Sequence, residues 1–190
     1  MPELPEVETV RRGLEPAMTG QRFRDVELRR PDLRFPFPTD FAARLRGRSV
    51  TAMGRRAKFI LAHLDSGDVL VLHLGMTGRF TVVEAGTQRR PGRFHHDAST
   101  VPPHEHVRFV MSSGAVITYS DPRRFGYMDL IAASELEVCR HFAGLGPEPL
   151  GNAFAAAALA ARAAGRRADL KAFLLDQRNV AGLGNIYVCE

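Results

Sequence analysis

Residues 49–76 read SVTAMGRRAKFILAHLDSGDVLVLHLGM, and this stretch decides the fold. Two runs rich in apolar and β-branched side chains flank Asp65-Ser66-Gly67-Asp68, a turn signal of the kind that reverses a strand. The expected element is an antiparallel hairpin. Working outward, "HVRFVM" and "AVITYS" repeat the pattern around Ser112-Ser113-Gly114, and "FRDVELRR" at 23–30 adds a further β-like run. On the N-terminal side, Val7, Val10 and Leu14 recur at helical spacing from Pro5 to Met18, with Glu6 and Glu8 early and Arg11 and Arg12 later. Those charges match a helix dipole, so one helix with a buried Val7, Val10 and Leu14 stripe is expected to precede the strands.

After Ala133 the pattern becomes helical. "ASELEVCRHFAGLG" offers Ser134 as an N-cap with Glu137 three residues on, "NAFAAAALAARAAG" offers Asn152 as a cap, and "RRADLKAFLLDQ" reads as another helix. A last helix opens near Ile186 and Tyr187, where the sequence ends. The expected class is α+β: an antiparallel β-sandwich with a packed N-terminal helix over 1–132, followed by an incomplete helical domain over 133–190.

Composition excludes several alternatives. With 45% hydrophobic and 25% charged residues in 190, the chain can bury a core and is not dominated by disorder. Cys139 and Cys189 are far apart and write neither a disulfide framework nor a four-ligand zinc site. The N-terminus is acidic where a signal peptide would be basic, and "VLVLHLGM" is too short to span a bilayer, which predicts a cytoplasmic protein with no membrane partner. A net charge of +5 points to an anionic partner. Of 26 basic residues only Lys58 and Lys171 are lysine. A lysine in so arginine-rich a chain matters because an ammonium can lose its proton and a guanidinium essentially cannot.

His95, His96, His104 and His106 cluster around Pro102 and Pro103, and His104 and His106, two apart, are expected to share a strand face. No third ligand stands at metal spacing, so no residue is assigned to a metal. Pro2 and Glu3 are more chemical. Removal of Met1 would leave Pro2 as a secondary α-amine, a class with a pKa near 7.7 to 8.0. Attack of that amine on a sugar C1′ forms an iminium that acidifies C2′, and a neighbouring carboxyl can serve as acid or base.

"PELPEVETVRRGLEP", "GRRAKFIL", "HLGMTGRF", "SDPRRFG", "LGPEPL" and "GLGNIY" follow in order along nearly the whole chain. In these six motifs the sequence resembles the formamidopyrimidine-DNA glycosylases of bacterial base-excision repair. The resemblance implies a bifunctional glycosylase and abasic-site lyase for oxidised purines, 8-oxoguanine and formamidopyrimidines, acting as a monomer on double-stranded DNA. It implies Pro2 as the Schiff-base nucleophile, Glu3 as the acid that opens the deoxyribose, Glu6 as an organising residue and Lys58 in proton transfer. Met76 and Phe125 would fill the space left by a flipped nucleotide while Arg123 reads the orphaned base. His104, Arg123 and Arg166 would contact the DNA backbone, with Lys171 and Asn185 near the damaged nucleotide. The family's helix-two-turn-helix unit is followed by a lesion-covering loop and a four-cysteine zinc finger, which this sequence does not contain. It is therefore expected to be C-terminally truncated, with zinc a cofactor of the full-length family only. Two alternatives stay open: an endonuclease VIII-like enzyme for oxidised pyrimidines, and a DNA-binding module without turnover.

Overall fold

The computed structural model describes residues 2–92, 104–152 and 154–190; His95, His96, Pro102 and Pro103 lie outside them. Helix α1 spans Leu4–Met18 and buries Leu4, Val7, Val10, Leu14, Ala17 and Met18, the expected stripe with its flanks. Its start is fixed by a reciprocal capping box in which the Glu3 N–H donates to Glu6 Oε2 at 2.9 Å and the Glu3 side chain accepts from the Glu6 amide.

Two antiparallel sheets follow. One has the order β1-β7-β8-β5-β6, built from Phe23–Leu28, Glu105–Met111, Val116–Ser120, Arg79–Glu84 and Thr87–Arg89. The other has the order β2-β3-β4-β9, built from Val50–Arg56, Phe59–Leu64, Asp68–His73 and Tyr127–Ala132. Ile60, Ala62, Leu70 and Leu72 join Phe23, Phe80, Phe109 and Tyr119 in the core that α1 closes. The alternate residues Phe59, Leu61, Val69 and Val71 pack outward on Phe142 and Ala181. Both faces of β3 and β4 are therefore covered, which is why these strands read as continuous apolar runs without alternation. The stretch 49–64 is two strands, turned at Ala57-Lys58, with Arg56 paired to Phe59.

The helical part consists of a 3-10 turn at Ala133–Val138 and helices α3 (Ala156–Ala163), α4 (Leu170–Leu175) and α5 (Asn185–Cys189). A short α2 at Phe41–Leu45, with Phe41 and Leu45 buried, joins β1 to β2 and was not expected.

Three local expectations need correction. Ser134 is not an N-cap: the Ala133 amide is held by Gly67 O at 2.8 Å, the turn starts at Ala133 with Ala132 as its N-cap, and Ser134 lies within it. Asn152 does not cap α3, because successive turns closed by Gly151 N–H to Glu148 O and Phe154 N–H to Gly151 O delay that helix until Ala155. His104 and His106 do not share a face. A register shift between Glu105 and Val107 breaks the alternation, leaving His104 exposed and His106 buried, with its Nε2 2.8 Å from Asp121 O.

Helix α1 is tied to β2 through Glu8, which accepts from Arg11 Nη2 at 3.0 Å, Arg12 Nε at 2.8 Å and Arg55 Nε at 3.3 Å. The Arg11 hydrogen bond, against the cost of burial, holds the carboxyl at about 2 in place of 4.5. A depressed folded pKa adds stability above the unfolded value and loses it as pH falls through the folded one. Glu8→Gln should thus cost on the order of 1 kcal/mol at pH 7 and flatten the stability loss between about pH 4.5 and 2. Urea unfolding at stepped pH measures this; parallel wild-type and variant curves would contradict it.

Candidate active site

The first turn of α1 is joined directly to the last turn of the chain. Pro2 is buried at the helix start and Glu3 is 1% exposed. The Glu3 carboxylate accepts from the amides of Gly184 at 2.7 Å, Ile186 at 2.8 Å and Tyr187 at 3.3 Å. Glu6 accepts from the Tyr187 hydroxyl at 3.1 Å. Gly184 is required by this approach, since a Cβ there would overlap the Glu3 carboxyl group. The motif at 2–16 and the motif at 182–187 are thus one structural unit.

Beside that unit is a cavity of about 450 Å³ whose walls include Lys58, His73, His141, Gln177, Gly184 and Asn185. Lys58 enters it from the β2–β3 turn, where Ala57 adopts a left-handed φ of 52°. Burial lowers the Lys58 pKa, and the negative charges of Glu3 and Glu6 oppose that shift. His73, at the end of β4, has its pKa pushed down to about 4, first by burial and then by the Lys58 charge. Its Nδ1 accepts from the Gly75 amide at 3.1 Å, so the neutral ring carries its proton on Nε2 and can donate from there. The ring stacks on Tyr127 at 4.9 Å, which fixes its plane.

A second unit is made of two interlocked loops, 74–78 and 121–126. Buried Asp121 holds both: Thr77 Oγ1 donates to Oδ1, while Gly126 N–H at 2.8 Å and Tyr119 OH at 3.3 Å donate to Oδ2. Gly75, at φ 63°, lets the loops touch, because a Cβ there would meet the backbone of Phe125 and Gly126. Presented on this base are half-buried Met76 and exposed Arg123 and Phe125, with the Arg123 guanidinium 4.7 Å from the Phe125 ring centre. Arg123, Arg124, Phe125 and Arg34 border an open hollow of about 400 Å³. None of the three arginines is ion-paired among the described residues. Cationic groups without acidic partners, next to an exposed aromatic, suit a phosphodiester and a base.

The structure therefore brings Glu3, Glu6, Lys58 and Asn185 together, and Met76, Arg123 and Phe125 together. His104 adjoins the second unit, where its carbonyl accepts the Asp121 amide at 3.1 Å. Arg166 and Lys171 are exposed on the helical part and line neither cavity; the Arg166 guanidinium lies 5.9 Å from the Phe173 ring centre. Residues that sequence reasoning missed are His73, His141, Arg34 and Arg124. His73 left one signal, a lone polar residue ending an apolar strand directly before Leu-Gly-Met.

The zinc implied by the resemblance finds no donor set here. Among the described residues no group of three or more His, Cys, Asp or Glu side chains could hold a metal ion, and no step is derived through one. Among the same residues, no helix is long and apolar enough to cross a membrane.

Residues 1–128 match the family model of the formamidopyrimidine-DNA glycosylase N-terminal domain, and residues 145–190 match that of the formamidopyrimidine-DNA glycosylase H2TH domain. Formamidopyrimidine-DNA glycosylase of Rhodopseudomonas palustris is 60% identical over 190 residues, and that of Afipia carboxidovorans 62% over 191. Each alignment covers all of this chain and 65% of the relative, so the chain spans about two-thirds of their length. Among solved structures, Lactococcus lactis Fpg in complex with DNA containing an abasic site superposes with a TM-score of 0.83 at 29% identity, covering 98% of this chain and 65% of that one. A mutant of the same protein bound to DNA containing Fapy-dG gives 0.81 at 30%, covering 98% and 64%. The Glu3 latch, the lysine turn and the paired loops thus sit in a fold and a sequence shared along the whole chain with these enzymes, and the protein belongs to the formamidopyrimidine-DNA glycosylase family.

Proposed function

We propose that this chain acts in DNA base-excision repair as a glycosylase for oxidised purines with abasic-site lyase activity. Residues 1–132 carry the chemistry and residues 133–190 add backbone contacts. Its substrate is double-stranded DNA with an oxidised base or an abasic site, met in the cytoplasm by a monomer. The observation that carries the reading is the convergence of Lys58, His73 and Asn185 on one cavity whose wall residue Gly184 is bound by Glu3, the neighbour of Pro2.

After Met1 is removed, the Pro2 nitrogen attacks C1′ and the C1′–base bond breaks, the base taking a proton from water; the Glu3 carboxylate takes the proton released by the Pro2 nitrogen and passes it to the sugar ring oxygen as the C1′–O4′ bond opens. The iminium that results withdraws electrons from C2′. Loss of a C2′ proton then expels the 3′-phosphate, and Lys58, its pKa lowered by burial, is suited to move that proton. Glu6 and Tyr187 hold the helix start in place. His73, donating from Nε2, and Asn185 bind phosphate beside the cavity. Met76 and Phe125 fill the gap of the everted nucleotide, and Arg123 pairs with the base left behind. His104, Arg166 and Lys171 grip the backbone on either side.

The test is base release by the natural gene product that carries this chain. 8-Oxoguanine should be excised from duplex DNA in preference to an oxidised pyrimidine, and excision should depend on the opposite base. Arg123→Ala should weaken that dependence by roughly 1 to 3 kcal/mol, the worth of a two-bond guanidinium contact to a base edge. Preferential pyrimidine release would replace this reading with the endonuclease VIII-like one, and an unchanged opposite-base preference in the variant would remove Arg123 from its role.

A further inference from the structure

Glu148, in "LGPEPL", belongs to neither unit described above, yet it reaches into the turn that carries Lys58. That turn has two residues, Ala57 and Lys58, and Ala57 is left-handed at φ 52°. The two-residue turn calls for a positive φ there, but alanine disfavours this region because its Cβ crowds the following carbonyl, so contacts from outside the hairpin would offset that cost.

Glu148 Oε1 accepts from the Ala57 amide and from Arg56 Nη1 at 3.2 Å, and Oε2 accepts from Arg55 Nη1 at 2.7 Å. Arg55 Nη1 also donates to Ala57 O at 2.9 Å, so one carboxylate and one guanidinium grip both sides of the left-handed residue. Burial disfavours the charged carboxylate, but the Ala57 amide and Arg55 outweigh it and keep Glu148 below the ordinary carboxylate range.

The segment bearing Glu148 is itself anchored. Gly146 N–H donates to Gln177 O at 2.8 Å and Ala181 N–H to Pro147 O at 3.0 Å. The Gln177 side chain spans the next loop, donating to Leu183 O and accepting from Gly182 N–H, each at 2.8 Å. From Gly184 the path closes on Glu3 at 2.7 Å. A continuous set of hydrogen bonds thus joins the Lys58 turn to Glu3 through the helical part of the chain.

We infer that Glu148 is a positioning residue: by holding Ala57 left-handed it sets Lys58 into the cavity whose wall residue Gly184 is bound by Glu3, so the helical part orders both groups at once. This rests on the proposed role of Lys58 in proton transfer.

With two lysines in the chain, [13C]lysine labelling gives two titrating Cε signals, assigned with Lys171→Arg. In the wild type the Lys58 signal should titrate below the ordinary lysine range. In Glu148→Gln the amide can no longer accept as the carboxylate did, the turn relaxes and Lys58 gains water. Its midpoint should rise toward the ordinary lysine range, whereas mere loss of a nearby negative charge would lower it. A midpoint that stays or falls in a folded variant overturns the proposal. Where Glu148→Gln does not fold, Glu148→Asp decides, since its carboxylate stops one methylene short of the Ala57 amide; an unmoved Lys58 there is equally fatal.

In the natural gene product, Glu148→Gln should slow cleavage of preformed abasic DNA about a hundredfold, the scale of a small misplacement of a catalytic group. The loss should fall on kcat more than KM, with a pH profile displaced as Lys58 is displaced. Absence of cleavage by the wild type would defeat the functional reading and leave the lysine titration to judge this one.

Discussion

Retention of Met1 should abolish borohydride-dependent attachment of this protein to abasic-site DNA, and the processed protein should be trapped efficiently. The argument starts from the amine. A terminal proline nitrogen belongs to a class that is partly unprotonated at neutral pH, while the same nitrogen inside a Met1-Pro2 peptide bond has its lone pair delocalised into the carbonyl and does not attack an aldehyde. Pro2 is buried at the start of α1, next to a carboxylate that reaches the cavity wall at Gly184. Pro2→Gly keeps a terminal amine but makes it primary, so trapping should persist at a reduced rate. Peptide masses of the digested adduct identify the attached residue. If the Met1-retaining protein traps as well as the processed one, Pro2 is not the nucleophile, and Lys58, already in the cavity with its pKa lowered by burial, becomes the candidate.

What the sequence revealed depends on how far each interaction reaches. The α1 stripe and the 65–68 and 112–114 turns are local patterns, and the structure has them where periodicity put them. Strand β5 is equally local in its alternation of buried Phe80 and Val82. The two misplaced caps failed because other hydrogen bonds set where these elements start: the Ala133 amide donates to Gly67 O, 66 residues away, and the Gly151 and Phe154 amides donate to carbonyls three residues back, so neither Ser134 nor Asn152 sits at the N-cap where its side chain was expected to accept. His106 failed because one extra residue in a strand inverts a face, and a bulge has no mark in composition.

The candidate site shows the same divide. Pro2, Glu3 and Lys58 could be singled out by residue type, since an N-terminal proline, a neighbouring carboxylate and a rare lysine are chemical signals in themselves. Their partners could not. Gly184 lies 181 residues from Glu3 and Glu148 lies 91 from Ala57, and neither pairing leaves a periodic trace. Arg34 and Arg124 were indistinguishable from the other arginines until the fold put them around one hollow with Phe125.

Glu3→Gln should separate the latch that the structure shows at this residue from the acid role proposed for it. As a carboxylate Glu3 is acceptor only, and it is surrounded by donors: the amides of Gly184, Ile186 and Tyr187 and, through the capping box, that of Glu6. A glutamine keeps the shape but turns an NH₂ group toward N–H groups, leaving buried donors without an acceptor. That costs about 1 to 3 kcal/mol and loosens the docking of α5 on α1, which a lowered melting temperature would record. The chemical loss should be larger. Without an acid to open the deoxyribose, excision of an intact oxidised base should fall by roughly 10² to 10⁴, the range of a general-acid contribution. A preformed abasic site is in equilibrium with an open-chain aldehyde that the amine can attack without help in opening the ring, so borohydride trapping of that DNA by the folded variant should largely survive. Gly184→Ala supplies the control, because it keeps the carboxylate but forces it out of place; it should lose both stability and excision. Glu3→Gln that excises 8-oxoguanine as fast as the wild type, at a temperature where both are folded, would reduce Glu3 to a structural latch between the two ends of the chain.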